Sequence, residues 1–328
     1  MPRDTVPTLA EELERHERYL SRHRGRKFVG LANHSLPRLD LATLGLRGLM
    51  LLAGGPNVGK TALGVQLGVD VVRHNPDACF LFLSLEMPRQ SIAARIICNL
   101  GKVEWRTLVS ASEAGVGEEG TQVYQEGELE AIAQARQTLA ELGRRILILD
   151  EQNFPRPTVE EVVAQMEVLK ARTGATRGFI LVDYLQVLPI PREDQKNFGV
   201  ASDVEADRWR IGAMKRLRDI TEDAVMVISE ARKPAPGERW AASMEDVEGS
   251  ERNAYTPDMV FLMQPLTQDE MVRQWRGSPD QAAKEMNQMG VVFLRLAIAK
   301  GRDGVNHDTL ELTYWHRQSR FVGGFRSL

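Results

Sequence analysis

The sequence predicts an α/β fold: a mostly parallel central sheet with helices on both faces. Three observations point to it. Strand-like and helix-like segments alternate along the chain. The strand-like segments are continuous apolar runs rather than in–out alternations, as expected of strands covered on both sides. One strand–turn–helix junction, Leu49 to Arg73, carries a glycine-rich turn of the kind such sheets place at a strand's carboxyl end.

Taken in order, Thr8-Leu9-Ala10-Glu11 is a capping box. Leu9, Leu13 and Leu20 follow at roughly helical spacing, so residues 9–22 read as a helix. Its apolar stripe is narrow and suits packing on its own domain or on a neighbouring subunit. A basic run, Arg22-His23-Arg24-Gly25-Arg26-Lys27, reads as a solvated linker or a phosphate contact. Residues 49–54 form the first buried strand, and 62–73 a helix. Residues 79–85 form a second strand, closed by Glu86. Pro88 suits the first turn of a helix to about Leu100, with Gly101 at its end. The polar stretch 110–126 reads as a surface excursion. A helix to Leu142 follows, stopped by Gly143.

Residues 146–149 are a third strand. Thr158 and Glu161 cap a helix ending near Gly174, and 179–182 are a fourth strand, closed by Asp183. Ser202 and Glu205 cap a long helix to about Glu222. Residues 224–228, 259–263 and 291–299 complete the strands, with a polar, helical stretch over 267–289.

The chain has 328 residues, 43% hydrophobic and 27% charged, enough for one large domain or two small ones. It has no run of 18 apolar residues, so no membrane-spanning helix is expected, and its first residues lack the apolar core of a signal peptide. Cys79 and Cys98 are the only cysteines. Both sit among apolar residues and suit a reduced, cytoplasmic protein. A net charge of −3 excludes coating nucleic acid through bulk charge, so any such contact must come from local loops.

The run Gly54-Gly55-Pro56-Asn57-Val58-Gly59-Lys60-Thr61 fits G-x-x-x-x-G-K-[ST], the P-loop. Average residue usage produces this pattern by chance in about one chain of this length per hundred. Glycines let backbone N–H groups turn inward around phosphate oxygens, and the helix starting near Ala62 adds its positive end. Lys60 would reach the β- and γ-phosphates of ATP, and the Thr61 hydroxyl would ligate Mg²⁺. Asp183 after four apolar residues is a Walker-B pattern, a carboxylate at the strand's end that would hold the Mg²⁺ through water. Glu86 either orients an attacking water or caps the helix that Pro88 begins.

Ser84-Leu85-Glu86-Met87, Asp183-Tyr184-Leu185-Gln186 and Ala299-Lys300-Gly301-Arg302 follow the P-loop in that order, and Leu36-Pro37-Arg38-Leu39-Asp40 precedes it. From about Ser35 to Phe321 the chain resembles the ATPase domain of DnaB-type replicative helicases, in the RecA-like superfamily. Residues 1–34, a helix and basic linker, stand where that family carries a separate N-terminal domain, and residues 35–328 form the ATPase domain. The resemblance implies a ring, a hexamer, with ATP sites between subunits and single-stranded DNA in its centre. It leaves room for a loader or primase without naming one. Glu86 matches the residue that activates water. Lys300 and Arg302 match the pair reaching into the next subunit's ATP site, and lie in a loop between strands where Gly301 and Gly304 permit a tight turn.

One departure stands out. After the fifth strand the family carries Ser-Gln-x-Asn-Arg, whose glutamine senses the γ-phosphate. This chain has Ser229-Glu230-Ala231-Arg232-Lys233. An ionised glutamate donates no hydrogen bond and repels phosphate. Glu230 is therefore expected to pair with Lys233 or Arg232, to be protonated, or to face the metal. Two segments are expected to face a ring's centre as irregular loops, 189–197 with Arg192 and Lys196, and 231–240 with Arg232, Lys233 and Arg239. The function expected is ATP-driven translocation on single-stranded DNA. The alternative is a nucleotide-gated oligomeric scaffold with weak ATPase activity.

Overall fold

The computed structural model describes residues 8–23, 25–113, 127–197, 199–200, 202–234, 241, 243–249, 251–267, 270, 284 and 286–325. Among them lie nine strands: β1 (Leu49–Gly54), β2 (Ala78–Ser84), β3 (Ile146–Asp150), β4 (Arg177–Asp183), β5 (Ala224–Glu230), β6 (Met259–Pro265), β7 (Val291–Gly301), β8 (Thr309–Trp315) and β9 (Arg320–Gly323). The described helices are α1 (Leu9–His23), α2 (Pro37–Thr43), α3 (Lys60–His74), α4 (Arg89–Gly101), α5 (Trp105–Glu113), α6 (Glu128–Leu142), α7 (Val159–Thr173), α8 (Arg192–Asn197), α9 (Asp203–Thr221) and α10 (Glu251–Tyr255).

All nine strands form one sheet, in the order β3-β2-β4-β5-β1-β6-β7-β8-β9. The first six in that order pair in parallel, and β7, β8 and β9 continue the sheet antiparallel. The expected mostly parallel sheet is therefore present. β1 lies between β5 and β6, buried along its whole length, because every side chain from Leu49 to Ala53 is apolar and meets helices on both faces. One apolar layer, with Met50, Leu52 and Phe80, packs under α3. The other, with Leu51, Leu81 and Val182, packs under α7 and α9.

Two strands and several short helices were absent from the sequence expectation. β8 and β9 have part-covered residues alternating with buried ones, so they lack the continuous apolar signature. The segment 189–197, expected as an irregular loop, contains α8. Pro191 precedes its first turn, and Glu193 and Asp194 favour its positive end. Residues 110–113 finish α5 rather than opening an excursion. The rest of that excursion lies outside the described residues, as does most of 267–289.

The capping boxes at Thr8–Glu11 and Thr158–Glu161 form as expected, and Ser202 caps α9. α1 leaves Leu9 and Leu13 on the surface, at 86% and 57% exposure. Cys79 and Cys98 are buried, and burial pushes their thiols up to about 12 and about 11. Among the described residues no helix is long and apolar enough to cross a membrane.

Candidate functional site

Parallel pairing gathers the polar residues that close the strands. Gly54 at the end of β1 registers with Glu230 at the end of β5, and Ser84 of β2 with Asp183 of β4. The P-loop, Glu86, Asp183 and Glu230 therefore share one edge, where open α/β sheets bind ligands.

The turn itself is shaped by backbone conformation and by what lies under it. Asn57 and Gly59 have positive φ, and Gly59 is the residue just before α3. A Cβ at Gly59 would lie 2.6 Å from the Tyr314 ring and 2.9 Å from Phe321, so only glycine fits there. Those two rings stack at 4.2 Å, and Gln66 of α3 bonds both backbone groups of Phe321. The antiparallel strands thus support the P-loop from below. No sequence signal marked this role, because Gln66 and Phe321 are 255 residues apart. Gly54, Gly55, Val58, Lys60 and Ala62 are buried, while Pro56 and Asn57 are exposed.

The Thr61 hydroxyl donates to Asp183 Oδ2 at 2.6 Å. Asp183 is 1% exposed, and burial pushes its carboxyl up to about 6. The nearby Glu86 charge adds to the rise, while the Thr61 hydroxyl and Lys60 oppose it. Burial raises the Tyr184 phenol as well, followed by the carboxylates of Glu86, Glu230, Asp183 and Glu248 around it. The edge is thus rich in negative charge. Thr61 and Asp183 offer adjacent hard oxygen donors, and a buried carboxylate held above its normal range is relieved by a cation. These residues fit Mg²⁺.

Glu86 is exposed just beyond β2, in a turn held by mutual Ser84–Met87 hydrogen bonds. It does not cap α4. The backbone N–H of Arg89 donates instead to Asp150 Oδ2 at the end of β3, at 2.8 Å. Glu230 pairs with neither Lys233 nor Arg232. It meets Lys60, whose Nζ lies 3.2 Å from Glu230 Oε1. The reason is register: β1 and β5 are neighbours, so the end of β5 abuts the P-loop. Arg232 instead donates to the Gly249 carbonyl.

Lys300 and Arg302 lie at the opposite edge. Lys300 is in β7 rather than in the loop, and Arg302 follows the strand's last residue. Arg302 Nη1 is 3.1 Å from Asp258 Oδ1. Asp258 Oδ2 also takes the Leu49 N–H at 2.8 Å and Arg218 at 2.6 Å. Leu49 starts β1 and Gly54 ends it, so Arg302 is about one strand length, ~17–20 Å, from its own P-loop. Burial lowers the Lys300 pKa, with Arg302 next in effect. The sequence motif found both cations; it gave no hint of Asp258, which anchors the arginine.

Arg192 and Lys196 are exposed on α8, interleaved with Glu193 and Asp194. Arg232 and Lys233 are exposed beyond β5, and Arg239 lies outside the described residues. The two segments leave adjacent strands on the P-loop edge.

The profile of the DnaB-like helicase C-terminal domain family matches residues 32–323. A replicative DNA helicase DnaB of Synechocystis sp. is 28% identical over 152 residues, 46% of this chain and 16% of that protein. A replicative DNA helicase DnaC of Bacillus subtilis is 27% identical over 152 residues, 46% of this chain and 29% of that protein. The matched stretch thus spans less than a third of either relative. A separately solved ATPase domain superposes with a TM-score of 0.73 at 17% identity, covering 98% of this chain and 100% of that one. A DnaB-like replicative helicase solved for its interactions with primase gives 0.71 at 17% identity, covering 97% and 68%. With a RecA-like P-loop sheet of this topology and a family match along nearly its whole length, the chain belongs to the DnaB-like helicase C-terminal domain family.

Proposed function

We infer that the protein is a ring-forming, Mg²⁺-dependent ATPase that translocates on single-stranded DNA in the cytoplasm, as a replicative helicase-type motor. Residues 35–328 form its ATPase domain, and residues 1–34 a helix and linker before it. The observation that carries this reading is the separation of Arg302 from its own P-loop. Half of the proposed site lies on one edge of the sheet and half on the other. A second copy, placed head to tail, brings the halves together, and repetition of that contact closes a ring, a hexamer in this reading.

In that arrangement the backbone N–H groups from Asn57 to Thr61 hold the phosphates, with Gly54 and Gly55 leading into the turn, Pro56, Asn57 and Val58 shaping it and Ala62 continuing it into α3. Lys60 binds the β- and γ-oxygens. Mg²⁺, held by Thr61 with Asp183 behind it, neutralises phosphate charge when bound. Glu86, exposed and free of a capping role, takes the proton of the water that attacks the γ-phosphorus. Lys300 and Arg302 of the next copy stabilise the charge on the transferring phosphoryl group. The strand-end segments carrying Arg192, Lys196, Arg232, Lys233 and Arg239 contact the DNA backbone. Both start beside the nucleotide, so a change there is felt at the DNA.

ATP turnover measured with and without oligo-dT tests this reading. DNA should raise the rate several-fold. Glu86→Gln should keep ATP binding and lose at least about a hundredfold in turnover. A rate indifferent to DNA, with ATP bound, would favour the nucleotide-gated scaffold.

A further inference from the structure

The ammonium of Lys60 has three N–H donors, and each has an acceptor within the chain. Nζ lies 2.9 Å from the Gly54 carbonyl, 2.8 Å from the Gly55 carbonyl and 3.2 Å from Glu230 Oε1. No donor is left for a phosphate. Of the three partners, Glu230 is the most distant and the only charged one. Its side chain is 35% exposed against 9% for Lys60, so the carboxylate lies toward solvent. A phosphate oxygen that reaches Lys60 from that side takes the place of the carboxylate.

The carboxylate cannot then retreat far. The Ala231 N–H donates to the Gly54 carbonyl at 3.1 Å, and the Glu230 carbonyl accepts from the Glu248 N–H at 3.0 Å. The peptide joining Glu230 to Ala231 is thereby tied through both of its polar atoms, its N–H to the P-loop. Only the side chain can turn away, so its charge stays beside the bound phosphates. The like-charge penalty is larger for a triphosphate than for a diphosphate.

We propose that Glu230 is an internal competitor for the phosphate site: its carboxylate occupies Lys60 when no nucleotide is bound and biases the site toward ADP over ATP. This makes Glu230 a specificity-determining residue, and it rests on the reading of residues 54–61 as the phosphate site.

Equilibrium titration with fluorescent ATP and ADP analogues tests it on the full chain. Glu230→Ala and Glu230→Gln should both bind ATP roughly three- to tenfold more tightly than wild type, the scale of one part-exposed ion pair plus the like-charge penalty. ADP should gain less, so the ATP-to-ADP affinity ratio rises in both variants. The alanine variant is decisive, because it removes the competitor without supplying an amide that could contact the γ-phosphate. If Glu230→Ala binds ATP no more tightly than wild type, or if the ratio does not change, the proposal is overturned while the phosphate site stands. If folded wild type and variants alike bind neither nucleotide, the phosphate-site reading fails and takes this proposal with it.

Discussion

Asp183 shows what the site costs the nucleotide-free chain. Its carboxyl titrates at about 6 in the folded state, against 3.8 for the free side chain. Between those values the folded state holds more proton than the unfolded one, so stability falls as pH rises through that window and is flat above it. A difference of that size corresponds to a loss on the order of 3 kcal/mol. Asp183→Asn keeps the shape and avoids the charge. In nucleotide- and metal-free buffer it should match wild type near pH 4 and exceed it by up to about 3 kcal/mol at pH 7.5. Urea midpoints at the two pH values check this, and an equal gap at both would contradict it. At this scale the sequence was informative where chemistry is local. The P-loop, Asp183 and Glu86 could be read from motifs of a few residues. The partner of Glu230 could not, because Lys60 is 170 residues away and reaches it only through β1–β5 register.

The helix that follows the P-loop is placed by a close approach. A Cβ at Gly68 would lie 2.4 Å from the Phe80 ring, which is fully buried and packs against Phe179 at 5.6 Å. This contact lets α3 ride close to the sheet, near the strands that carry Asp183 and Glu86. Gly68→Ala raises helix propensity by about 1 kcal/mol, yet it should destabilise the protein by about 1–3 kcal/mol through overpacking. Denaturant unfolding decides the sign: a stabilised variant would show that the helix has room to shift. Strands β1, β2, β4, β5 and β6 were legible because they are buried along almost their whole length and carry continuous apolar runs. β8 and β9 were not, since polar and part-covered residues interrupt their apolar runs. α8 was hidden by prolines, which mark helix starts as well as loops. Only the structure shows that β8 and β9 supply the rings beneath Gly59.

Across the whole molecule, the two edges of the sheet carry the two halves of the proposed site. The P-loop edge holds Lys60, Thr61, Asp183, Glu86 and Glu230; the opposite edge holds Lys300 and Arg302, the latter fixed by Asp258. A contact that joins unlike edges leaves one unused edge of each kind, at the two ends of the assembly, until a ring closes. The measurement that tests the shared site most directly is ATPase activity of mixed variants. Arg302→Ala should still bind ATP and lose roughly three orders of magnitude in turnover, and Lys60→Ala should lose binding. Each is inactive alone, but they damage opposite sides of one interface, so an intact P-loop can face an intact Arg302 in a mixture. Recovered ATPase activity in mixed, subunit-exchanged assemblies is the result predicted. Arg302→Ala turning over ATP at the wild-type rate would contradict the account, because each copy would then complete its own site.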